Sequence, residues 1–439
     1  MNPELRRHLW LEFSAHRLVA TPVLIALVAL LVLAMSDGNG LRPIAITAAY
    51  GFLALVMLWG THNAAQSVLE EVRSRTWDTQ RMSSISPWAM TWGKLAGATS
   101  FTWYGGALCL VLFVLAGMGR LEIPVLKTAA VMLAGALLLQ ALALNVALIG
   151  AQRWATPRAP GGLVFLLLAL VLLGPSIGFV TEAKGAVLWW GWQFLRIDFI
   201  LASLIVFAAW AAFGAYRSMC SELQSRTAPW ALVAFLAFMA LYVAGFLAFR
   251  QPRALGPVEA VLVSGLGASV ALEYLLVFSE RTGAMTLRRL MARAEHRQWR
   301  RALEELPGWP IALAAALVCA TGMILVAAPD MAGAAIGVAL FALRDAALLH
   351  IFAFARQPKR VEAVTLLYLA LLYWLVPTLL DAMGVESLAR LVLPNIFAPP
   401  GPATAVIAAQ AVLAVTIAAW RWRRSDRVPP QAARGAGST

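Results

Sequence analysis

Runs of about 20 apolar residues recur along the whole chain, the length an α-helix needs to cross the hydrocarbon core of a bilayer. They occupy residues 18–36, 43–60, 96–117, 128–150, 161–180, 198–216, 229–249, 257–279, 309–328, 332–355, 361–382 and 402–420. The expected fold is therefore an all-α polytopic membrane protein with about twelve transmembrane helices. A chain that is 61% hydrophobic and 13% charged, with a mean hydropathy of +0.76, fits that class. The first run is too long for a signal-peptide core, and "AMSDGNG" after it offers no small-residue cleavage site, so it is expected to be retained. Before it, Leu5, Leu9 and Phe13 lie at helical spacing opposite Arg6 and Arg7, the pattern of a helix on the membrane surface.

Most of the 35 Lys and Arg residues fall in alternate loops if both termini are cytoplasmic, as the positive-inside rule requires of an even number of spans. The net charge of +13 then reflects topology and anionic lipid headgroups, and no nucleic-acid partner is needed to explain it. The expected location is a plasma membrane, of the bacterial inner-membrane kind, with the lipid bilayer as the first partner. Cys109, Cys220 and Cys319 are far apart and the five histidines form no i, i+4 pair, so neither a disulfide framework nor a metal site is expected.

The chain also reads twice. "LQALALNVALIGAQRWATPRAPGGLVFLLLALVLLGPSIGF" recurs about 200 residues later as "RDAALLHIFAFARQPKRVEAVTLLYLALLYWLVPTLL". Gln140 aligns with Asp345, Asn145 with His350, Pro157 with Pro358, and Pro175 with Pro377, the last two well inside a span where proline kinks a helix. Two six-span modules follow, 1–222 and 223–424, with a disordered tail at 425–439. Six is even, so the two six-helix repeats are parallel rather than inverted.

Each module places its long inner interval after its second span, Thr61 to Lys94 and Glu280 to Leu306, while every other inner loop is short. In the first, "SVLEEVRS" is expected to leave the membrane as a helix with Glu70 and Glu71 at its polar end. Asp78 and Ser83 are candidate helix caps, and Ser86 followed by Pro87 is an N-cap with proline at the first helical position. Trp77, Trp88 and Trp92 suit the headgroup layer. An inert amphipathic loop anchored by tryptophan fits the same residues.

The stretch "EEVRSRTWDTQRMSSISPWAMTWGKL" resembles a segment of ABC-2-type transporter permeases. There, paired acids precede a Gly-Thr-(Leu or Trp)-(Glu or Asp) turn, a Thr-Pro-Leu-Ser-like step, and a Gly-Lys-Leu that opens the third span. Thr76, Trp77, Asp78, Ser86, Pro87, Gly93, Lys94 and Leu95 sit at matching positions after Glu70 and Glu71, whereas Arg75 stands where glycine is usual and Ser84 where proline is usual. The resemblance covers the first half of the chain well and the second half weakly, where "SERTGAMTLRRL" and "LPGWPIAL" flank a more basic centre. It implies a permease, the exporting membrane subunit of an ABC transporter, whose interval docks on a separate cytoplasmic ABC ATPase present in two copies. ATP and Mg would be used by that partner. This chain carries no G-x-x-x-x-G-K-[ST] loop and is expected to bind no cofactor and to have no catalytic residues of its own. The resemblance further implies re-entrant helices in the outer segments "TEAKGAVLWWGWQFLRID" and "DAMGVESLARLVLPNIFAPP", which from their residues alone read as aromatic belts.

Inside the spans, Glu273, Arg344 and Asp345 each cost about 2.5 to 3.5 kcal/mol if stranded at a helix centre. Neighbours on a helix do not face each other, so Arg344 and Asp345 are each expected to find a partner elsewhere. Glu273 is placed to reach water or a nearby arginine. With Gln140, Asn145 and His350 these residues fit either interhelical hydrogen-bond glue or a shared pathway. Two other function classes fit less well: a twelve-span secondary transporter driven by an ion gradient, which shares the parallel two-half plan but usually has its longest inner loop between the halves, and a membrane-embedded enzyme, for which no constellation of acids, histidines or serines is visible.

Overall fold

The computed structural model describes residues 2–36, 40–153, 185–225, 229–249, 255–280, 283–354, 361–384 and 402–425. It is the all-α polytopic membrane protein that the apolar runs require. Among the described residues, 11 helices are long and apolar enough to cross a membrane. The expected fifth span (161–180), with Pro175 and the basic loop at Pro157, lies outside the described residues, as do Pro358, most of the second outer segment and the C-terminal tail.

The chain divides into two compact units, Met1–Leu188 with Trp192–Thr227, and Ala228–Thr439 with Trp189–Gly191. The first begins with α1 (Pro3–Glu12), capped by Asn2, whose Oδ1 accepts the Glu4 N–H at 3.0 Å. Ser14 then caps α2 (Ala15–Ala34), a span with no buried residue whose leucines, Leu24, Leu27 and Leu31 among them, are left to lipid. The next helix runs 33 residues, Leu41–Arg73. Its halves α3 (Leu41–Phe52) and α4 (Gly60–Arg73) are joined by a π-helical segment, Leu53–Trp59. After it come α5 (Trp77–Arg81), α6 (Pro87–Gly97), α7 (Ser100–Gly117) and α8 (Val125–Arg153). A two-stranded hairpin, β1 (Ala186–Trp189) and β2 (Trp192–Leu195), precedes the long helix α9 (Arg196–Glu222), the last of this unit.

Small residues set the helix spacing, as expected where lipid supplies no hydrophobic driving force between helices. Ala45, Ala48, Ala136, Ala143, Ala147 and Ala215 are all buried in the two cores of this unit. At Gly51 a Cβ would meet Cys109 Sγ at 3.1 Å, so α3 and α7 are in direct contact there.

The second unit contains α10 (Trp230–Leu247), α11 (Pro257–Ser279), α12 (Ala284–Glu295), α13 (Trp299–Glu304), α14 (Gly308–Val326) and α15 (Pro329–Ala353). Then α16 (Val361–Ala370) passes through a second π segment, Leu371–Leu375, into α17 (Val376–Ala382), and α18 (Pro402–Arg424) ends the described chain. Pro377 lies two residues beyond this π segment, whose widened turn relieves the clash of a proline ring with the carbonyl four residues back. The "SGLGAS" stretch packs tightly as its small residues predict, with a Cβ at Gly265 falling 2.9 Å from Cys319 Sγ and 3.3 Å from Ala240 Cβ.

Two local expectations are corrected here. The outer segment before α9 is a β-hairpin over 186–195 rather than a re-entrant helix; Trp190 and Gly191, both at positive φ (51° and 77°), make the two-residue turn that pairs the strands. Asp78 and Ser83 are not caps. Asp78 lies inside α5, and the Ser83 hydroxyl donates back to the Gln80 carbonyl at 2.7 Å.

Candidate functional site

The polar interval of the first unit is held by a turn that its sequence disguises. After α4, Arg75 takes φ +58°, its N–H donates to the Val72 carbonyl (3.3 Å), and the Thr76 N–H donates to the Glu71 carbonyl (3.0 Å). This is a Schellman stop with its left-handed position filled by arginine. Glycine would adopt this left-handed backbone at less cost than arginine. The same stop recurs in the second unit: Arg297 takes φ +56°, with bonds from Arg297 N–H to Ala294 and from Gln298 N–H to Arg293. In both, tryptophan follows two residues later and opens a short helix, α5 at Trp77 and α13 at Trp299.

Four of the nine residues expected to face an ATPase are instead internal. Lys94 on α6 is fully buried; its Nζ donates to Glu71 Oε2 at 2.5 Å and the Ser67 carbonyl at 3.1 Å, and reaches Glu4 Oε1 at 3.4 Å. Arg7 Nη2 completes the ring, 2.5 Å from Glu71 Oε1 and 3.0 Å from Glu4 Oε1. Two acids and two bases thus balance in a cluster joining α1, α4 and α6, in which Lys94, Glu4 and Glu71 are buried and Arg7 is partly exposed. Burial alone would raise the Glu4 carboxyl, but His8, Lys94 and Arg7 outweigh it and hold the pKa down at about 2. The Arg7 guanidinium is moved up, since its bond to Glu71 and the charge of Glu4 outweigh its own desolvation.

Gly93 is buried for a related reason. A Cβ there would come 2.5 Å from Glu4 Cβ, and one at Gly97 would come 2.8 Å from His8 Cβ, so the two glycines let α1 lie against α6. Asn2 adds a bond to the Ala89 carbonyl at 2.5 Å. Thus α1 does not rest on lipid alone through Leu5 and Leu9, which are half-buried; it docks through Glu4 and His8.

Trp77 does not present its ring at the surface either. Its ring is buried, its Nε1 donates to Glu222 Oε2 at 3.1 Å, and Lys94 Nζ lies 5.3 Å from its centroid. Arg81 Nε donates to the Glu222 carbonyl at 3.1 Å, so α5 is clamped to the end of α9. Glu222 was absent from the sequence candidates; its one signal was an acid among the arginines of a basic loop. Trp88 and Trp92 are exposed. Ser86 caps α6 as expected, accepting the Ala89 N–H at 3.3 Å, with Pro87 next. What this framework exposes is Glu70, Arg75, Thr76, Asp78 and Ser86.

Within each unit the polar residues of the spans find local partners. Gln140 Nε2 donates to the Val56 carbonyl at 3.0 Å, inside the π segment, while its Oε1 accepts from Trp103 Nε1 at 3.0 Å. Asn145 accepts from Ser218 Oγ at 2.6 Å. His350 is buried, with Nδ1 2.7 Å from the Ala346 carbonyl and its ring 4.5 Å from that of Trp309. The bonds of Gln140 and Asn145 fit helix-to-helix glue, whereas that of His350 lies within its own helix and only its ring meets another, at Trp309 of α14.

Arg344 and Asp345 do face each other, contrary to the spacing argument. The long arginine side chain folds along its own helix and places Nε and Nη2 each 2.9 Å from Asp345 Oδ1. Tyr274 and Tyr373 both donate to Asp345 Oδ2 at 2.6 Å, Arg344 Nη2 reaches the Tyr373 oxygen at 2.7 Å, and Nη1 donates to Gln410 at 2.8 Å. This network ties α11, α15, the second π segment and α18 together. Glu273 finds neither water nor arginine: it is 1% exposed, and its Oε2 has no hydrogen-bond partner among the described residues.

No family model, no curated protein and no solved structure matches this chain.

Proposed function

We propose that the chain is the membrane-spanning permease of an ATP-driven ABC transporter, two parallel six-helix modules in one polypeptide, coupled to a separate cytoplasmic ATPase through α5 and its surrounding turn. One observation carries the reading: α5 and the turn before it show an exposed polar face, Arg75, Thr76 and Asp78, while the other side of α5 is tied to α9 by Trp77 and Glu222 and the Lys94 cluster joins α1, α4 and α6 beside it. A lever that passes on force needs a fixed root and a free contact face, and a passive loop needs neither. Glu71, Trp77, Gly93 and Lys94 are then the root, and Glu70, Thr76, Asp78 and Ser86 the face. In the second module, the matching Trp299 is exposed, so its interval is not rooted in this way.

Copurification with an ATPase subunit, followed by crosslinking from Asp78→Cys, tests this. A crosslink whose yield changes with ATP supports the proposal; a purified chain that stimulates no ATPase and crosslinks to none defeats it. A gradient-driven transporter is the second reading, favoured by the charged network around Arg344 and Asp345 in the membrane. Substrate movement driven by an ion gradient without ATP would decide for it.

A further inference from the structure

We infer that Glu273 is a proton-binding site within the membrane, a carboxylic acid kept neutral beside an ion pair that is already complete. Asp345 spends both oxygens, Oδ1 on Arg344 and Oδ2 on the two tyrosines, and Arg344 spends its remaining nitrogen on Gln410. One positive and one negative charge therefore balance with their hydrogen bonds satisfied. Glu273 is a second buried carboxyl, adjacent in sequence to the Tyr274 that donates to Asp345, and among the described residues no cation pairs with it. Its Oε2 has no hydrogen-bond partner among the described residues, in a side chain that is 1% exposed.

An ionised carboxylate there would face both the solvation penalty of an apolar site and the field of Asp345. Among the described residues, the other elements packed on α11 offer no relief. Along their spans α10 and α14 contribute no charged side chain, and their titratable groups are Tyr242 and Cys319. From α15 come Arg344, already committed, and His350, one side of whose ring is held at Ala346. A bound proton resolves the site with one small, exchangeable ligand, whatever energy source drives the protein.

A hydrophobic carbodiimide reports on such a group. The acid transfers its proton to a carbodiimide nitrogen as its oxygen adds to the central carbon, and an acyl shift to nitrogen leaves a stable N-acylurea. Carboxyls with an ordinary pKa are ionised more than about a hundredfold over the acid form at neutral pH and react slowly. Full-length protein in lipid nanodiscs, treated with dicyclohexylcarbodiimide at neutral pH and mapped by mass spectrometry, is expected to carry the adduct at Glu273 and not at Asp345. Glu273→Gln removes the adduct and unfolds at the same temperature as the parent, because the amide mimics the neutral acid. Absence of the adduct at Glu273, labelling of Asp345 in its place, or protection by sodium at fixed pH would overturn the inference. So would a Glu273→Gln protein as unstable as Asp345→Asn, which would mean that the carboxylate serves as an ion.

Discussion

Lys94 Nζ lies 2.5 Å from Glu71 Oε2 with none of the lysine side chain exposed, and Glu4 shares the same ammonium. Substituting Lys94→Met strands two buried carboxylates beside a single arginine, and removing one partner of a buried pair costs about 3–5 kcal/mol. Thermal unfolding in detergent is expected to show that loss. Adding Glu71→Leu should recover much of it, since a fully apolar replacement leaves less charge unpaired. Equal losses in the single and double variants would contradict the pairing.

Acid should release α1. Glu4 is held at about 2 against an ordinary value of 4.5, so the stabilisation is complete above the unfolded value and fades as pH falls from there toward the folded one. Spin labels at Trp10→Cys and Trp88→Cys, both exposed, are expected to keep one distance at neutral pH and to separate only below about pH 4.

Arg75→Gly is expected to stabilise the protein by about 0.5–1 kcal/mol, because a left-handed backbone costs an L-residue more than glycine loses in chain entropy. A rise in the unfolding midpoint checks this, and Arg75→Ala should give none.

Trp77→Phe keeps the ring but leaves Glu222 Oε2 without its donor, at a cost of about 1–3 kcal/mol. If α5 is the proposed lever, the variant still binds the ATPase while transport per ATP hydrolysed falls. Asp78→Arg, on the free face, should do the reverse: unchanged unfolding and weaker binding in a pull-down.

Arg344→Met alone should destabilise by about 3–5 kcal/mol by leaving Asp345 buried with two tyrosines and no cation. Arg344→Met with Asp345→Leu should cost much less than the sum of the single changes, a coupling that a double-mutant cycle on unfolding midpoints measures.

The spans were legible because one long apolar run permits one solution in lipid. For α11 and α16–α17 the expected limits 257–279 and 361–382 are the observed ones. The start of α6 was equally open, because Ser86 and Pro87 act on their immediate neighbours. Partners distant in the chain were hidden. Nothing near Lys94 announces that Glu4, 90 residues away, closes on it, and a tryptophan in a polar loop reads as an interface anchor until Glu222 is placed beside it. The 186–195 hairpin was missed because its tryptophans suit a headgroup belt as well as a strand. Arg344 and Asp345 failed for a different reason: the rule that neighbours diverge concerns the directions of short side chains, and a guanidinium on three methylenes can turn back on its own helix.

The π segment at Leu53–Trp59 has a consequence for aim. An α-helix advances about 100° per residue, and a π turn carries one residue more than an α turn. Every position from Gly60 onward is therefore rotated by about that angle from where an unbroken helix would set it. Glu71 faces Lys94 because of that offset, and Glu70, its neighbour in sequence, is the one left outside. The phase of one widened turn inside the membrane thus selects which of two adjacent glutamates is locked in and which is presented, more than two turns of helix away.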